Sequence, residues 1–479
     1  MNTFSKKSLH VALAGLSTLG LAGAAEAVMI NPNGLGQVLV YPYYTVRNGY
    51  NVGGVSAAPF NTLLSIVNTT NSTKAVKVRF REGKASVEVL DFNVFLSPYD
   101  VWTAAVEPDG AGGAQIETND NTCTVPSFTK GVGVPFRQTA LTDPIGASAD
   151  RVTEGYFEVF EMVTYTAGST VDVNAKHNAA GVPKDCSQVN DTTAQTGINP
   201  PGGGLSGGAT IINVLTGDAF TEDATALTQF TTAAVYSNTG VNTPDFISAI
   251  PSAAGAVNGA GQIITGVFAN PESASTAALQ RTSVINEYVL EKTTASGTDW
   301  VLTFPTKHNL VTAKTVKPPF QSVLSKTGSC DDIGLALYNR EEGPPGSTPG
   351  SDFSPLPPGA AGPALCWESN VLTFNNSNVL GSGNKYNIAT TESAGWANVT
   401  FAFPGAYLIA TSPIGFDPNA GALTTPSVTF AGLPTIGFAV QTFVNGTLTD
   451  TTGKLIQSSY GGNFGHRYVG PQVGPDPLP

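Results

Sequence analysis

Short runs of β-branched and aromatic residues, separated by turn-forming residues, recur along this 479-residue chain and constrain its fold more than any other feature. In Ala75–Arg81, apolar residues alternate with Lys77, Arg79 and Arg81. Such alternation is typical of a strand with one face toward a core and the other toward water. We therefore predict that the three basic residues form a solvated strand face, paired across a hairpin with Glu88.

The same pattern predicts strands throughout the chain. They are Gln37–Val46, Asn61–Val67, Val87–Leu96, Gly155–Tyr165, Thr210–Leu215, Phe230–Ser237, Ile263–Phe268, Ser283–Leu290, Trp300–Phe304, Ile333–Tyr338, Ser369–Phe374, Asn398–Phe403, Ser427–Phe430 and Ile436–Val444. Helix signals are sparse, and Ser273–Arg281 is the segment that favours one. Ser97–Asp100 predicts a type I turn, because proline suits its second position. The predicted fold class is all-β, with β-sandwich or jelly-roll-like domains and long Gly/Pro-rich loops.

The first 27 residues have the pattern of a bacterial signal peptide. Lys6 and Lys7 give a positive start, Val11–Ala25 is apolar, and Ala25 and Ala27 place small residues where a signal peptidase requires them. The apolar run is shorter than the roughly 20 residues that a membrane helix needs. We predict cleavage after Ala27, no transmembrane span in the mature chain, and an extracellular or cell-surface location rather than a periplasmic one.

The charge balance is acidic. The chain has 35 acidic and 23 basic residues, a net charge of −12, and only 12% charged side chains. Loss of Lys6, Lys7 and Glu26 with the signal peptide leaves 34 acidic and 21 basic residues, or −13. Since Lys and Arg supply the contacts to phosphate, we expect no nucleic-acid partner.

Long segments rich in Gly, Pro, Ser and Asn divide the chain, at Glu107–Asn121, Pro200–Gly208 and Glu341–Gly362. Segments of this length are either functional or surface insertions. We divide the mature chain near residue 310. The N-terminal β-sandwich region covers 28–310, and the C-terminal β-rich region covers 311–479, with a Pro-rich loop at 341–362 and an extended tail from Gly470.

Four cysteines are consistent with export to an oxidising compartment: Cys123, Cys186, Cys330 and Cys366. Four cysteines allow three pairings. The sequential pairing is the simplest, because each pair then brackets a loop-rich region. The absence of C-x-x-C spacing disfavours a metal cluster, so we predict two structural disulfides.

Candidate catalytic patterns are weak. Glu154 and Glu158 share a strand face about 13 Å apart, from roughly 3.3 Å per residue. That spacing fits neither the retaining nor the inverting glycosidase pair. We interpret them, with Glu161, as solvent-facing acids. Gly204–Gly208 matches G-x-S-x-G around Ser206, but it lies in a glycine-rich loop without the strand and helix that a nucleophile elbow requires.

The mature chain retains three histidines, His177, His308 and His466, without the spacing of a zinc motif. Polar or glycine-rich surroundings predict that His177 and His466 are exposed. We therefore expect no catalytic constellation, no enzyme activity and no resident cofactor.

A loop rich in Asp and Asn is the weak candidate for a structural metal. Asp109, Glu117 and Asp120 could supply the oxygen ligands that calcium prefers in extracellular proteins. The spacing does not match an EF-hand loop. A plain hydrated loop is the alternative.

Aromatic residues could support carbohydrate binding. Tyr41, Tyr43, Tyr44 and Trp102 are candidate stacking groups, although aromatic pairs on strands more often stabilise the sheet itself. A surface polysaccharide is therefore a candidate partner.

Two stretches resemble segments of uncharacterised exported proteins of Gram-negative bacteria. They are Lys74–Trp102, which contains VKVRFRE and LDFNVFLSPYDVW, and Gly432–Asn445. The resemblance implies a bacterial, exported protein and no particular activity.

These observations predict a non-catalytic structural protein of the bacterial cell surface or extracellular matrix, such as a surface-layer or filament subunit. Edge strands and long loops can repeat one contact between copies, so we expect a homo-oligomer or a self-assembling protein. The alternative is a secreted β-sandwich module that binds carbohydrate or another ligand. An exposed aromatic cluster in a groove would favour that alternative.

Overall fold

The structure is a computed structural model. It describes residues 27–50, 58–258, 260–341, 363–401, 403–411, 427–444, 448–449, 451–453, 455–456 and 459–471. The predicted signal peptide up to residue 26, the Pro-rich loop from 342 to 362 and the tail from 472 lie outside the described residues. The fold is mostly β-sheet, which confirms the predicted all-β class.

Strands in the first half of the described chain are β1 Met29–Ile30, β2 Val38–Thr45, β3 Asn61–Asn68, β4 Lys74–Glu82, β5 Glu88–Leu96, β6 Val101–Pro108, β7 Ala114–Glu117, β8 Cys123–Val125, β9 Val134–Pro135, β10 Glu154–Tyr165, β11 Ile198–Asn199, β12 Leu205–Asn213, β13 Asp218–Asp223 and β14 Thr225–Thr228. Those that follow are β15 Ala253–Val257, β16 Ile263–Val267, β17 Gln280–Arg281, β18 Ser283–Val289, β19 Gly297–Thr303, β20 Asp331–Asp332, β21 Gly334–Asn339, β22 Ala364–Leu365, β23 Ser369–Phe374, β24 Lys385–Ile388, β25 Ala394–Thr400, β26 Tyr407–Thr411, β27 Ser427–Ala431, β28 Leu433–Pro434, β29 Phe438–Val444, β30 Leu448–Thr449, β31 Leu455–Ile456, β32 Ser459–Gly465 and β33 Arg467–Val469.

The described α-helices are short: α1 Thr170–Ala175, α2 Pro271–Leu279 and α3 Lys307–Leu310. Helix α2 confirms the predicted helix, and Asn270 caps it by accepting a hydrogen bond from the Ser273 amide. Short 3₁₀ turns occur at Gln138–Ala140, Ala149–Thr153, Cys186–Gln188, Thr193–Gln195, Phe246–Ser248 and Lys292–Thr294.

Two sheets pack face to face in the first sandwich. One has the order β1-β14-β2-β10-β4-β5-β8, with β11 beside β10, and the other has the order β13-β12-β3-β6-β7-β9. Their inner faces share one apolar core, in which Val78 and Phe157 of the first sheet cluster with Leu64 and Trp102 of the second. This arrangement is the predicted β-sandwich.

The second sandwich packs the sheet β21-β25-β18-β33 against the sheet β24-β23-β19-β29-β32. Its core includes Val284, Trp300, Leu372 and Val399. A smaller sheet, β15-β16-β26-β27, and α2 cover the outer face of the first sandwich's larger sheet. Both faces of that larger sheet are therefore buried over part of its area.

Strand pairing places the division between the two sandwiches earlier than residue 310. Strand β18 pairs with β25 along its full length, and β19 pairs with β23 and β29. Both β18 and β19 therefore belong with the C-terminal strands, and pairing with that part of the chain begins at β16, which pairs with β26.

The predicted strand Phe230–Ser237 is wrong. Residues 229–250, here called the covering segment, lie across the outer face of β4 and β10, with Phe230 packed against Phe160 at a ring-centroid distance of 5.6 Å. Phe230, Phe246 and Ala249 of this segment pack against the sheet without extending it. Burial against the sheet thus overrides β-propensity.

Buried ion pairs occupy the face of β4 that was predicted to be solvated, so that prediction is wrong. Lys77 and Arg79 are fully buried and Arg81 nearly so. The partners of these cations are carboxylates on neighbouring strands. On this face the pairs are Lys77 with Asp91 at 3.3 Å, Arg79 with Glu88 at 2.6 Å and Arg81 with Glu158 at 3.0 Å. A fourth buried pair, Lys74 with Glu161 at 2.6 Å, lies on the opposite face of β4. The pairing of Arg79 with Glu88 is confirmed.

The covering segment supplies further hydrogen-bond acceptors to Lys77 and Arg79. Lys77 Nζ donates to the carbonyl oxygens of Asn238 and Val241, and Arg79 donates to that of Pro244 at 2.8 Å. A buried charge is tolerated only when it is paired and its remaining donors are satisfied. The carbonyl oxygens of the covering segment therefore accept hydrogen bonds that water would accept on an exposed strand.

The two sandwiches are joined by a buried interface. An apolar cluster links Tyr43 and Phe220 of the first sandwich to Val301 and Phe438 of the second. On strand β13, Thr221 donates its amide hydrogen to the side-chain oxygen of Asn463 in β32 at 3.2 Å. The sandwiches therefore pack against each other across the edges of two sheets.

Both predicted disulfides are present, with the sequential pairing. Cys123 bonds to Cys186 across 63 residues, and Cys330 bonds to Cys366 across 36 residues. The described residues include no free cysteine. Each bond ties a loop-rich segment to the sheet beside it.

Lys74→Met tests the buried ion pairs. Lys74 and Glu161 side chains are at most 1% exposed, so the variant leaves an uncompensated buried carboxylate. We expect a loss of about 3–5 kcal/mol in the free energy of unfolding, measured by urea titration. The matched control is Arg340→Met, which removes the surface pair with Glu291 and is expected to cost less than about 1 kcal/mol. Equal losses for the two variants would contradict the assignment.

Candidate functional site

A groove of about 760 Å³ crosses the outer face of the six-stranded sheet of the first sandwich. Small and hydroxyl-bearing residues line its centre, among them Ser65, Thr103, Ala105, Ser206, Gly208 and Thr210. Glu107 and Glu117 lie on the side of β6 and β7, and Asp223 lies on β13. No Lys, Arg, His or aromatic residue is among its described lining residues. The groove therefore has the chemistry for a neutral or cationic ligand.

The three candidate calcium ligands do not converge. The Asp109 carboxylate accepts hydrogen bonds from the Ala111 and Gly113 amides at 2.7 and 2.8 Å, and so closes its own turn. Asp120 accepts from the amide and hydroxyl of both Thr103 and Thr122. Glu117 lines the groove. Within the part of the chain that the structure describes, no group of three or more His, Cys, Asp or Glu side chains is placed to hold a metal ion.

The acids of β10 are buried, so their interpretation as solvent-facing residues is wrong. Glu154 accepts hydrogen bonds from the Tyr43 and Ser382 hydroxyls, each at 2.6 Å, and thereby bridges the two sandwiches. Glu158 pairs with Arg81. Each carboxylate has a separate cationic or hydroxyl partner, because the covering segment and the second sandwich exclude water from this strand.

Ser206 lies within strand β12 and is the register partner of Val67 in β3. The strand continues past Ser206 to Asn213. In a nucleophile elbow the chain would instead turn into a helix directly after the serine. The G-x-S-x-G match is thus part of the sheet that carries the groove.

The three histidines occupy separate environments. His308 lies at the junction of the sandwiches, and His177 lies beside the turn that joins β5 to β6. His466, predicted to be exposed, is 7% exposed, with Nδ1 3.1 Å from the Asn286 side-chain nitrogen and Nε2 3.0 Å from the Val301 carbonyl oxygen. Burial lowers the pKa of His466 to about 4. That prediction is therefore wrong, because His466 lies between β18 and β19 of the second sandwich.

The aromatic residues proposed as a sugar-stacking platform are core residues. Tyr41, Tyr43, Tyr44 and Trp102 are at most 1% exposed. Tyr41 stacks on Phe157 with ring centroids 4.1 Å apart. These rings cannot contact a ligand outside the molecule, so the proposed platform is wrong.

A polar cluster at the junction of the sandwiches was not predicted. The Tyr156 hydroxyl lies 2.8 Å from Ser86 Oγ and 3.4 Å from His308 Nδ1, while His308 Nε2 lies 3.4 Å from Asp245 Oδ2. Burial acts to raise the pKa of Asp245, but the charges of His308 and Arg81 lower it well below its usual value. Ser86 is 2% exposed, and the contacts of Tyr156 with His308 link the first sandwich to the second. The members of the cluster are far apart in sequence, so no local pattern signals it.

Glu368 adds a carboxyl to this junction. It is 4% exposed, and its Oε2 has no hydrogen-bond partner. Burial raises its pKa to about 8, although Lys307 acts in the opposite direction. At neutral pH the folded protein therefore holds this carboxyl mainly in its protonated form.

The outer face of the small sheet β15-β16-β26-β27 carries aliphatic and hydroxyl-bearing side chains and no charged ones. By register, the residues that point outward are Val257, Ile263, Thr265, Val267, Tyr407, Ile409, Thr411, Ser427 and Thr429, here called the uncharged face. Ile263 and Ile409 are 65% and 62% exposed. The inner face packs Phe268 and Phe430 against the first sandwich. An apolar face left open on one side of a sheet is suited to docking another protein surface.

Comparison of the chain with known protein families, curated proteins and solved structures gives no match. No described helix has both the length and the apolar character needed to cross a membrane.

Glu368→Gln is expected to flatten the pH dependence of stability. The folded carboxyl has a pKa of about 8, whereas its usual value is 4.5. Between these values the folded state holds a proton that the unfolded chain releases, so wild-type stability falls as pH rises through this window. The variant cannot titrate there and should lose less stability between pH 5 and 8.5, a difference of a few kcal/mol in urea unfolding.

The control for this measurement is Asp332→Asn, which removes an exposed carboxylate. It is expected to leave the pH slope of the wild type unchanged. An unaltered slope in Glu368→Gln as well would contradict the assignment of a protonated carboxyl at the junction.

Proposed function

We propose that this protein is an exported structural protein of the bacterial cell surface or extracellular matrix, and that copies of it associate through the uncharged face. The observation that carries the proposal is the exposure of Ile263 and Ile409 on a sheet whose other side is fully packed. Exposed isoleucines on a flat sheet face are costly in water unless a partner surface covers them.

Charge favours a second copy of this chain as that partner. The protein carries a net charge of −12, so two copies repel each other over most of their surfaces. The uncharged face contains no acidic or basic side chain. Two such faces can meet about a twofold axis without placing like charges together, at the roughly 10 Å spacing of stacked sheets.

A non-catalytic role is supported by the internal ion pairs and hydrogen bonds that the carboxylates of β10 make. The carboxylates of β10 are engaged with Lys74, Arg81, Tyr43 and Ser382. These contacts stabilise the sandwiches and their junction, which is what a load-carrying subunit requires.

Export is supported by the predicted signal peptide together with the two disulfides. The bacterial assignment follows from the resemblance of Lys74–Trp102 and Gly432–Asn445 to exported proteins. Calcium-dependent assembly remains part of the proposal, but Asp109, Glu117 and Asp120 do not form one calcium site in the folded chain.

The experiment is negative-stain electron microscopy and light scattering of the purified mature protein, with calcium and after chelation. We expect wild-type sheets, filaments or defined oligomers. The double variant Ile263→Thr/Ile409→Thr should weaken association at least tenfold, because each buried isoleucine contributes about 1.5–3 kcal/mol and about 1.4 kcal/mol is a factor of ten.

The matched control is Val214→Thr/Leu215→Thr, which changes two exposed apolar residues of the turn after β12. It should assemble as the wild type does. Dispersed wild-type monomers with and without calcium would overturn self-association. Normal assembly of the isoleucine variant would exclude the uncharged face as the contact, and loss of assembly on chelation would make calcium a requirement.

A further inference from the structure

The turn between β5 and β6 holds Tyr99 in an unfavourable backbone conformation. The turn covers Ser97 to Asp100 and is closed by a hydrogen bond from the Asp100 amide to the Ser97 carbonyl oxygen at 3.2 Å. Pro98 is its second residue, and Tyr99 is its third, with φ of 60°. That value defines a type II turn, so the predicted type I turn is wrong. Proline at the second position suits both types, and the third position of type II favours glycine.

The tyrosine ring contributes little to the folded protein. It is 70% exposed, the largest exposure of any aromatic residue among the exposed hydrophobic residues that the structure describes. A bulky residue at positive φ is a genuine outlier, and such strain concentrates at ligand-binding sites. A strained residue whose side chain points into solvent suggests a contact with a molecule outside the protein.

A pocket of about 390 Å³ lies beside this ring. It is lined by Ser97, Pro98, Tyr99, Asp100, Lys176 and His177, here called the turn pocket. Its volume lies within the range of small-molecule sites. The walls come from two parts of the chain, the β5–β6 turn and the segment after α1, so the pocket is a product of the fold.

The polar walls are held in place. His177 Nδ1 lies 3.2 Å from Ser97 Oγ and 3.5 Å from Asp100 Oδ2. The Cys123–Cys186 disulfide ties the segment after α1 to β8. Burial raises the pKa of Asp100, and His177 acts to lower it.

The geometry favours binding over hydrolysis. In a Ser-His-Asp triad the serine and the carboxylate face opposite nitrogens of the imidazole. Here Ser97 and Asp100 both face Nδ1, so no proton can pass from the serine through the ring to the carboxylate.

We propose that the turn pocket binds a saccharide unit, with the Tyr99 ring against the apolar face of the sugar. Lys176, whose Nζ also pairs with Asp172 at 2.8 Å, supplies its remaining donors, Asp100 supplies acceptors and His177 supplies either. Sugar hydroxyls both donate and accept, which matches this mixed set, whereas an anion would need donors alone and a cation acceptors alone. An aromatic ring with a few polar groups around it is the usual composition of a small-ligand site. The site is distinct from the uncharged face and does not depend on self-association.

The test uses an array of neutral oligosaccharides of hexose and N-acetylhexosamine units, followed by titration calorimetry with the best-bound member. Tyr99→Phe keeps the ring and should bind within about threefold of the wild type. Tyr99→Ala should bind at least tenfold more weakly. Tyr99→Gly should lose binding equally but raise the melting temperature above that of Tyr99→Ala, because glycine relieves the positive φ.

Tyr460→Ala is the matched control, since Tyr460 is 60% exposed on strand β32. It should bind as the wild type does. Absence of array binding by the wild type would overturn the proposal, and so would tight binding by Tyr99→Gly. Either result would leave the self-association experiment unaffected.

Discussion

Buried ion pairs on strand β4 are the constraint on which the rest of the structure depends. Lys77, Arg79 and Arg81 lie on the outer face of a sheet whose inner face forms the core of the first sandwich. Charges in such a position are stable only when carboxylates pair with them and carbonyl groups accept their remaining hydrogens. The covering segment supplies such carbonyl groups to Lys77 and Arg79. Asp245, which follows Pro244 within it, also binds Arg81 at 3.2 Å. Asp245 in turn contacts His308 of α3, so the same network leads to the junction between the sandwiches.

Because these charged side chains are buried in ion pairs, they are not available to bind a ligand at the surface. Most of the acids and histidines that a sequence reading considers for catalysis are committed to internal contacts, as Glu154 and His466 illustrate. Chemically distinctive surface features of the described residues include the groove with its small residues and carboxylates, the uncharged face, and the turn pocket around Tyr99. These surfaces are suited to contact with polymers or with other copies of the chain.

The strand pattern predicted most of the sheet elements, because alternation with period two is a local property. It also identified correctly which residues share a face, since Val76 and Val78 lie in the core while Lys77 lies opposite. It failed at Phe230–Ser237, where the same composition forms a segment that lies across a sheet. Of the candidate site residues, the four cysteines were paired correctly. The residues of the uncharged face were not found, because both faces of β16 carry apolar side chains.

The sequence by itself determined the all-β class and the positions of most strands, because these follow from local periodicity and turn residues. It favoured the sequential disulfide pairing among three possible ones, and the structure shows that pairing. Only the tertiary structure decided which strand faces are buried from solvent. What covers a face comes from a distant part of the chain, as when Pro244 accepts a hydrogen bond from Arg79. The same holds for Tyr99, whose exposure and positive φ arise from how β5 and β6 are joined and anchored. Burial is a property of three-dimensional packing. A local pattern can predict where a strand lies and which residues share its face, but it does not predict which distant segment buries that face.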